Sequence, residues 1–320
     1  MGRRKKGRKL SGWLVLDKPY DFGSTEAVSR LRWFAGAQKA GHAGTLDPLA
    51  TGILPIAFGE ATKTVPYVQD GRKAYRFTAR WGIATTTDDT EGDITRRSDV
   101  RPDRAGIEAV LPEFTGTVSQ RPPAFSAIKV DGERAYDLAR DGEKVVLEAR
   151  DIEVDRLTLL EAGEDEAVFE AVTGKGTYVR ALVRDIAERL GTCGHVTALR
   201  RTAVGPFTED DAVTMEEATG HPASIKLAPE DRDEARIDSV LIGTGEGLRE
   251  HPQAPITPQD AFRMRHGQDA VLPPVQAKAV RGEQSGDIEP VLATLDGEPV
   301  AICRLEGLRL QPIKVFQLEA

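Results

Sequence analysis

Gly41-His42-Ala43-Gly44-Thr45-Leu46-Asp47-Pro48-Leu49-Ala50-Thr51-Gly52 is the stretch that decides how this chain is read. Three glycines and one proline in twelve residues rule out a regular helix and disfavour a long strand. The stretch therefore predicts a loop of fixed shape. It carries one imidazole, one carboxylate and two hydroxyls, with no basic side chain beside them. Pro48 pushes Asp47 out of the helical region into extended backbone. An Asp-Pro turn, with Asp47 bonding nearby amides, would account for this much. The apolar run Ile53-Leu54-Pro55-Ile56-Ala57-Phe58 comes next and predicts a buried strand, so the loop is anchored to the core. That anchoring makes Asp47 a candidate functional carboxylate.

Upstream, Gly12 to Asp17 predicts a short apolar strand ended by Lys18-Pro19. Ser24 suits the N-cap of a helix with Val28, Leu31 and Phe34 on one face, closed by Gly36. Downstream, Glu60 to Val68 predicts one short helix. Tyr75, Phe77, Ala79 and Trp81 alternate with Arg72, Ala74, Arg76, Thr78 and Arg80, the period of a half-buried strand. Residues 84 to 93 read as a solvated polar turn without the spacing of a calcium loop. A helix over Ile107 to Phe114, a strand over Phe125 to Val130 turning at Asp131-Gly132, and a short helix around Tyr136 follow. Residues 152 to 160 and 167 to 172 form a candidate strand pair.

The second informative stretch is Gly174-Lys175-Gly176-Thr177-Tyr178-Val179-Arg180. Thr177 suits an N-cap, and Val179, Leu182, Val183, Ile186, Ala187 and Leu190 form a helical apolar stripe closed by Gly191. Tyr178 and Arg180 then stand in the first turn, where free amides and partial positive charge favour a carboxylate or phosphate. Residues 195 to 204 predict a strand, with His195 structural. Residues 214 to 255 read as a helical fragment plus linker, and 273 to 287 as loop. Thr257-Pro258 starts a helix ending at Gly267. Residues 291 to 305 predict a hairpin turning at Asp296-Gly297, and 313 to 318 a last strand.

The chain has 320 residues, a net charge of −8 and two isolated cysteines, Cys193 and Cys303, in no metal-ligand spacing. A soluble, reduced, cytoplasmic protein is expected, with no membrane span and no secretory signal. Six positive charges and no acid lie in the first nine residues, either a solubilising tail or a phosphate-contacting one. No dinucleotide fingerprint, Walker motif or metal cluster is visible, so no cofactor and no metal are expected.

The opening stretch, with Leu54-Pro55 and Gly59-Glu60-Ala61-Thr62-Lys63 after it, resembles the signature of the bacterial tRNA pseudouridine-55 synthases, the TruB type. Lys18-Pro19, Lys73-Ala74-Tyr75, Ser126-Ala127-x-Lys129 and Lys-Gly-Thr-Tyr-x-Arg at 175 to 180 agree with it. Relatives commonly place Gly where this chain has Asp21, which bears on the turn after Lys18. The resemblance is strong over residues 12 to 210 and weaker in the tail. It implies an α+β pseudouridine synthase fold, with a mixed, mainly antiparallel central sheet, flanking helices and a small C-terminal β-rich PUA-like RNA-binding domain. The implied domains are a basic disordered tail over 1–11, a catalytic domain over 12–213, a linker over 214–255 and the PUA-like domain over 256–320.

By the same resemblance Asp47 is the nucleophile, attacking either the sugar or the uracil ring of a flipped-out T-loop uridine of tRNA. Arg180 keeps it ionised, and Tyr75 stacks on the base or moves a proton. Tyr178 and Leu199 wall the pocket, Lys18 helps build its floor, and His42 fills the vacated stack. Lys63, Lys129, Arg200 and Arg201 are candidate phosphate contacts. The expected partner is tRNA through its T-stem-loop, with a monomeric enzyme and no guide RNA. Two other readings stand beside it: a guide-RNA-dependent relative acting on ribosomal RNA, and an RNA-binding or RNA-folding module.

Overall fold

The computed structural model describes residues 7–126, 128–130, 133–140 and 147–318, with the backbone alone for 129, 130, 134, 137, 139 and 140. The predicted turn at Asp131-Gly132 and most of the basic tail lie outside the described residues. The contacts divide the chain into two units, Met1–Asp47 with Leu54–Gln69 and Gly205–Ala320, and Pro48–Ile53 with Asp70–Val204. This differs from the boundaries expected from sequence, because residues 205 to 255 pack with the N-terminal segment.

In the first unit, Trp13, Leu14, Val15 and Leu16 of the Gly12–Lys18 strand are all buried. A run buried on both faces belongs to an interior strand. It pairs in parallel with Ala212–Val213, and Trp13 exchanges two backbone hydrogen bonds with Ile242 (2.9 and 2.8 Å). Leu248, Leu292, Ile302 and Phe316 form a common cluster. The stretch read as a linker is therefore built into the unit. The expected tail also changes at its end: Arg8 pairs with Asp238 at 2.7 Å and with Glu234 at 3.4 Å.

Five strands form the C-terminal sheet, in the order Gln253–Pro255, Ile288–Leu295, Glu298–Glu306, Arg309–Val315 and Ala270–Val271. Asp296 and Gly297 make its hairpin turn with φ of 52° and 87°, the left-handed pair that a two-residue turn requires. Thr257 caps the Pro258–Arg265 helix by accepting from the Asp260 amide, as its sequence predicts. The last strand, Arg309–Val315, begins earlier than expected, and the segment read as loop contains the helix Pro274–Arg281. Glu60 to Val68 is split into a 3₁₀ turn, Gly59–Lys63, and a helix, Val65–Asp70.

In the second unit the Lys73–Trp81 strand is central, antiparallel to Gly194–Val204 on one side and Glu166–Thr173 on the other. Arg150–Ala162 and Gly116–Gln120 continue the sheet. Phe77, Ala79 and Trp81 are buried while Arg76 is exposed, as the period-two pattern requires. Phe77 stacks on Phe169 with ring centroids 5.4 Å apart. Helix Val179–Arg189 buries the predicted stripe from Val179 to Ala187, while Leu190 is its half-buried C-cap. Only Lys129–Val130 of the expected Phe125–Val130 strand is extended in a ladder. No helix among the described residues is long and apolar enough to cross a membrane.

Candidate active site

The Asp47 loop is held at successive points within the first unit. Ala40–His42 pairs antiparallel with the strand after the loop, His42 opposite Ile56, and the Ala43 amide donates to the Pro55 carbonyl at 2.9 Å. The chain turns away at Gly44, whose φ of 107° lies in the region that favours glycine. Two residues on, Leu46 is buried and its backbone is gripped at both ends by one hydroxyl. Ser24 Oγ accepts from the Leu46 amide at 2.9 Å and donates to the Leu46 carbonyl at 2.7 Å. Ser24 is thus not the helix cap expected from its type; the Ser24–Phe34 helix starts from Gly23, without a side-chain cap. Asp47 follows, half-buried, before Pro48.

Lys18 is fully buried, and its ammonium donates to the carbonyls of Pro19 (2.9 Å) and Phe22 (2.7 Å) in the turn leading to Ser24. Asp21 adopts φ 54° there. A short polar residue tolerates this conformation, so the turn after Lys18 takes a left-handed residue without glycine.

In the second unit Tyr75 lies half-buried on the central strand, opposite Ala171 on one side and Arg201 on the other. Leu199, 8 % exposed, faces Phe77 two positions along. Tyr178 is the N-cap of the Val179–Arg189 helix, one residue later than the expected Thr177. Its amide donates to Gln120 Oε1 at 2.9 Å, and its carbonyl accepts from Gln120 Nε2 at 3.1 Å. Arg150 lies over the Tyr178 ring at 5.6 Å.

Arg180 is 5 % exposed. Its guanidinium donates to the carbonyls of Thr87 (2.8 Å) and Phe125 (3.0 Å) and pairs with Asp89 at 3.2 Å. Asp89 is 1 % exposed and also accepts from the Thr87 hydroxyl and the Glu91 amide. Asp88 pairs with Arg184 at 2.9 Å, and burial raises the Asp88 pKa against the pull of that cation. Within the segment expected to be a solvated turn, Thr86, Thr90, Glu91 and Asp93 are exposed, but Asp89 is buried and mounts Arg180. Two aspartates next to three threonines read as a loop from composition; their burial depends on helix residues about 90 positions away. Gln120 and Ser24 were likewise missed, since each acts through a backbone far along the chain.

Two candidate phosphate contacts are already engaged. The Lys63 ammonium bonds the Glu60 carboxylate and the Val315 carbonyl (2.7 Å). Arg201 is 2 % exposed, with Nε on the Ile53 carbonyl at 2.8 Å. Arg201 is therefore not presented to solvent as a surface cation would be, whereas the Lys63 side chain stays partly exposed. The side chain of Lys129 lies outside the described residues. Lys73, buried beside the positive charge of Arg201, has its pKa lowered to about 8, with burial the larger cause.

The fold is that of the pseudouridine synthases. The crystal structure of a Cbf5-Nop10-Gar1 complex matches it with a TM-score of 0.70 at 25% identity, covering 96% of this chain and 85% of that one. An H/ACA RNP bound to a substrate RNA containing 2'-deoxyuridine matches with a TM-score of 0.71 at 22% identity, over 99% of this chain and 92% of that one. Residues 32–179 match the TruB family pseudouridylate synthase N-terminal domain, and residues 180–247 the tRNA pseudouridylate synthase B C-terminal domain. Proteins named tRNA pseudouridine synthase B from Agrobacterium fabrum and Caulobacter vibrioides are each 51% identical to this chain. The first match covers 98% of this chain and 97% of the relative, the second 99% and 100%. The chain belongs to the TruB family.

Proposed function

We propose that this chain converts the T-loop uridine of tRNA at position 55 to pseudouridine. The reading is carried by the Gly41-to-Gly52 loop, which bears one carboxylate, on Asp47, between an anchored Leu46 and the stiff Pro48. The near-full-length likeness to proteins of that name supports it. The reaction detaches uracil and rejoins it through a ring carbon without net redox change. It calls for an ionised carboxylate beside sugar and base, and Asp47 supplies it. Arg180 is the cation assigned to keep that carboxylate charged. Tyr75 stacks on the base or moves a proton at the ring carbon, and Tyr178 and Leu199 wall the pocket. The uridine must leave its stack, at a cost of a few kcal/mol, and His42 fills the gap. Lys18 acts through the turn it holds, and the C-terminal sheet contributes RNA binding.

The enzyme is proposed to act as a monomer in the cytoplasm without a guide RNA. The test is single-turnover modification of a bare tRNA transcript by the purified chain, read by carbodiimide-dependent primer extension. Wild type should convert the T-loop uridine, while Asp47→Asn should bind tRNA and make no product. Turnover of that variant within tenfold of wild type would refute the nucleophile role. Wild-type activity that appears only with an added RNA would favour the guide-dependent reading.

A further inference from the structure

We infer that Ser24 is a positioning residue for catalysis, setting the direction of the Asp47 backbone through Leu46. The inference rests on Asp47 being the nucleophile. Three observations carry it. Ser24 is 3 % exposed, and its hydroxyl is committed to both polar groups of one residue, the Leu46 amide (2.9 Å) and the Leu46 carbonyl (2.7 Å). The peptide unit is planar, so holding the Leu46 oxygen also fixes the plane of the Asp47 amide. Pro48 restricts Asp47 from the other side. Second, the helix beginning at Ser24 has no side-chain cap at Gly23, although serine is a preferred capping residue and stands one position away. A local rule is left unused while the hydroxyl serves a contact 22 positions along the chain. Third, the turn that delivers Ser24 is itself fixed by the buried Lys18 ammonium on the Pro19 and Phe22 carbonyls. The route from core to nucleophile is thus short: Lys18, the turn, Ser24, Leu46, Asp47.

Ser24→Ala removes both bonds with little change in volume. Misplacing a reacting group by about 1 Å costs on the order of a hundredfold in rate. The single-turnover rate constant at saturating enzyme should therefore fall about ten- to a hundredfold, with the dissociation constant and the stoichiometry of tRNA binding unchanged. Ser24→Thr, which restores the hydroxyl, should recover most of the rate. Ser24→Cys, slightly larger and a poor hydrogen-bonding group, should behave as Ala does, and it serves as the reading if the Ala variant does not fold. A merely structural serine would lower the stoichiometry of tRNA binding through loss of folded enzyme and leave the rate constant at saturating enzyme intact. That result, or rates within threefold of wild type in both Ala and Cys variants, overturns the inference. Asp47→Asn is run alongside: if it stays active the nucleophile assignment fails, whereas an inactive Asp47→Asn with a fully active Ser24→Ala removes the Ser24 role alone.

Discussion

Replacing Asp89 by Asn tests the mount of Arg180. Asp89 and Arg180 have side chains 2 % and 6 % exposed and lie 3.2 Å apart. Removing one partner of a buried ion pair costs about 3–5 kcal/mol, because the other charge is left uncompensated. Here the loss is moderated. Asn keeps an oxygen for the Thr87 hydroxyl and the Glu91 amide, and Arg180 keeps the Thr87 and Phe125 carbonyls. What is lost is the charge and one charge-assisted contact, worth about 1.5–3 kcal/mol, and the new amide presents a donor to a donor. We expect a loss of about 2–3 kcal/mol. Asp88→Asn is the matched control: its pair with Arg184 is more exposed (13 % and 23 %), and Arg184 retains Asp185 and the Arg121 carbonyl. It should cost about 1 kcal/mol. Urea unfolding with an unchanged slope reads both. If Asp88→Asn costs as much as Asp89→Asn, or if Asp89→Asn costs under about 0.5 kcal/mol, the buried pair does not hold Arg180 as described.

Gly52→Ala should destabilise strongly, since φ is 95° and a Cβ would stand 2.2 Å from the Arg201 carbonyl oxygen. Gly116→Ala, with φ 91° and nothing within 4 Å, carries the same backbone strain of about 1–3 kcal/mol without the clash. Equal losses in denaturation midpoint for the two would refute the close approach. Lys73 has a folded pKa of about 8 against an ordinary 10.5, so the unfolded chain holds that proton more tightly. Its burial therefore opposes folding at neutral pH, and the penalty fades as pH rises from 8 towards 10.5. Lys73→Met should raise stability at pH 7 by up to about 3 kcal/mol and flatten the rise above pH 8. An unchanged pH profile would show that Lys73 titrates normally.

Several features were legible in the chain itself because they depend on near neighbours. Gly44, Gly52 and Pro48 marked the loop around Asp47, the alternation from Tyr75 to Trp81 marked the central strand, and the stripe from Val179 to Ala187 marked the helix behind Arg180. Periodicity and backbone restriction act over a few residues, so they are written locally. The motifs that carry the family resemblance were legible for the same reason, being contiguous runs around Asp47, Tyr75 and Arg180.

Burial and partnership were not. Asp88 and Asp89 looked solvated until Arg180 and Arg184 were brought to them, and Arg201 looked like a candidate phosphate contact until the fold buried it against the Ile53 carbonyl. Residues 214 to 255 looked like a linker until Ile242 met Trp13. Ser24 carried the signature of a helix cap, and only the tertiary structure put Leu46 within reach of its hydroxyl. A side chain's local preference is worth about 1 kcal/mol, and a buried hydrogen bond or charge contact between distant segments matches or exceeds it. Where the two compete, the fold decides which one the residue satisfies.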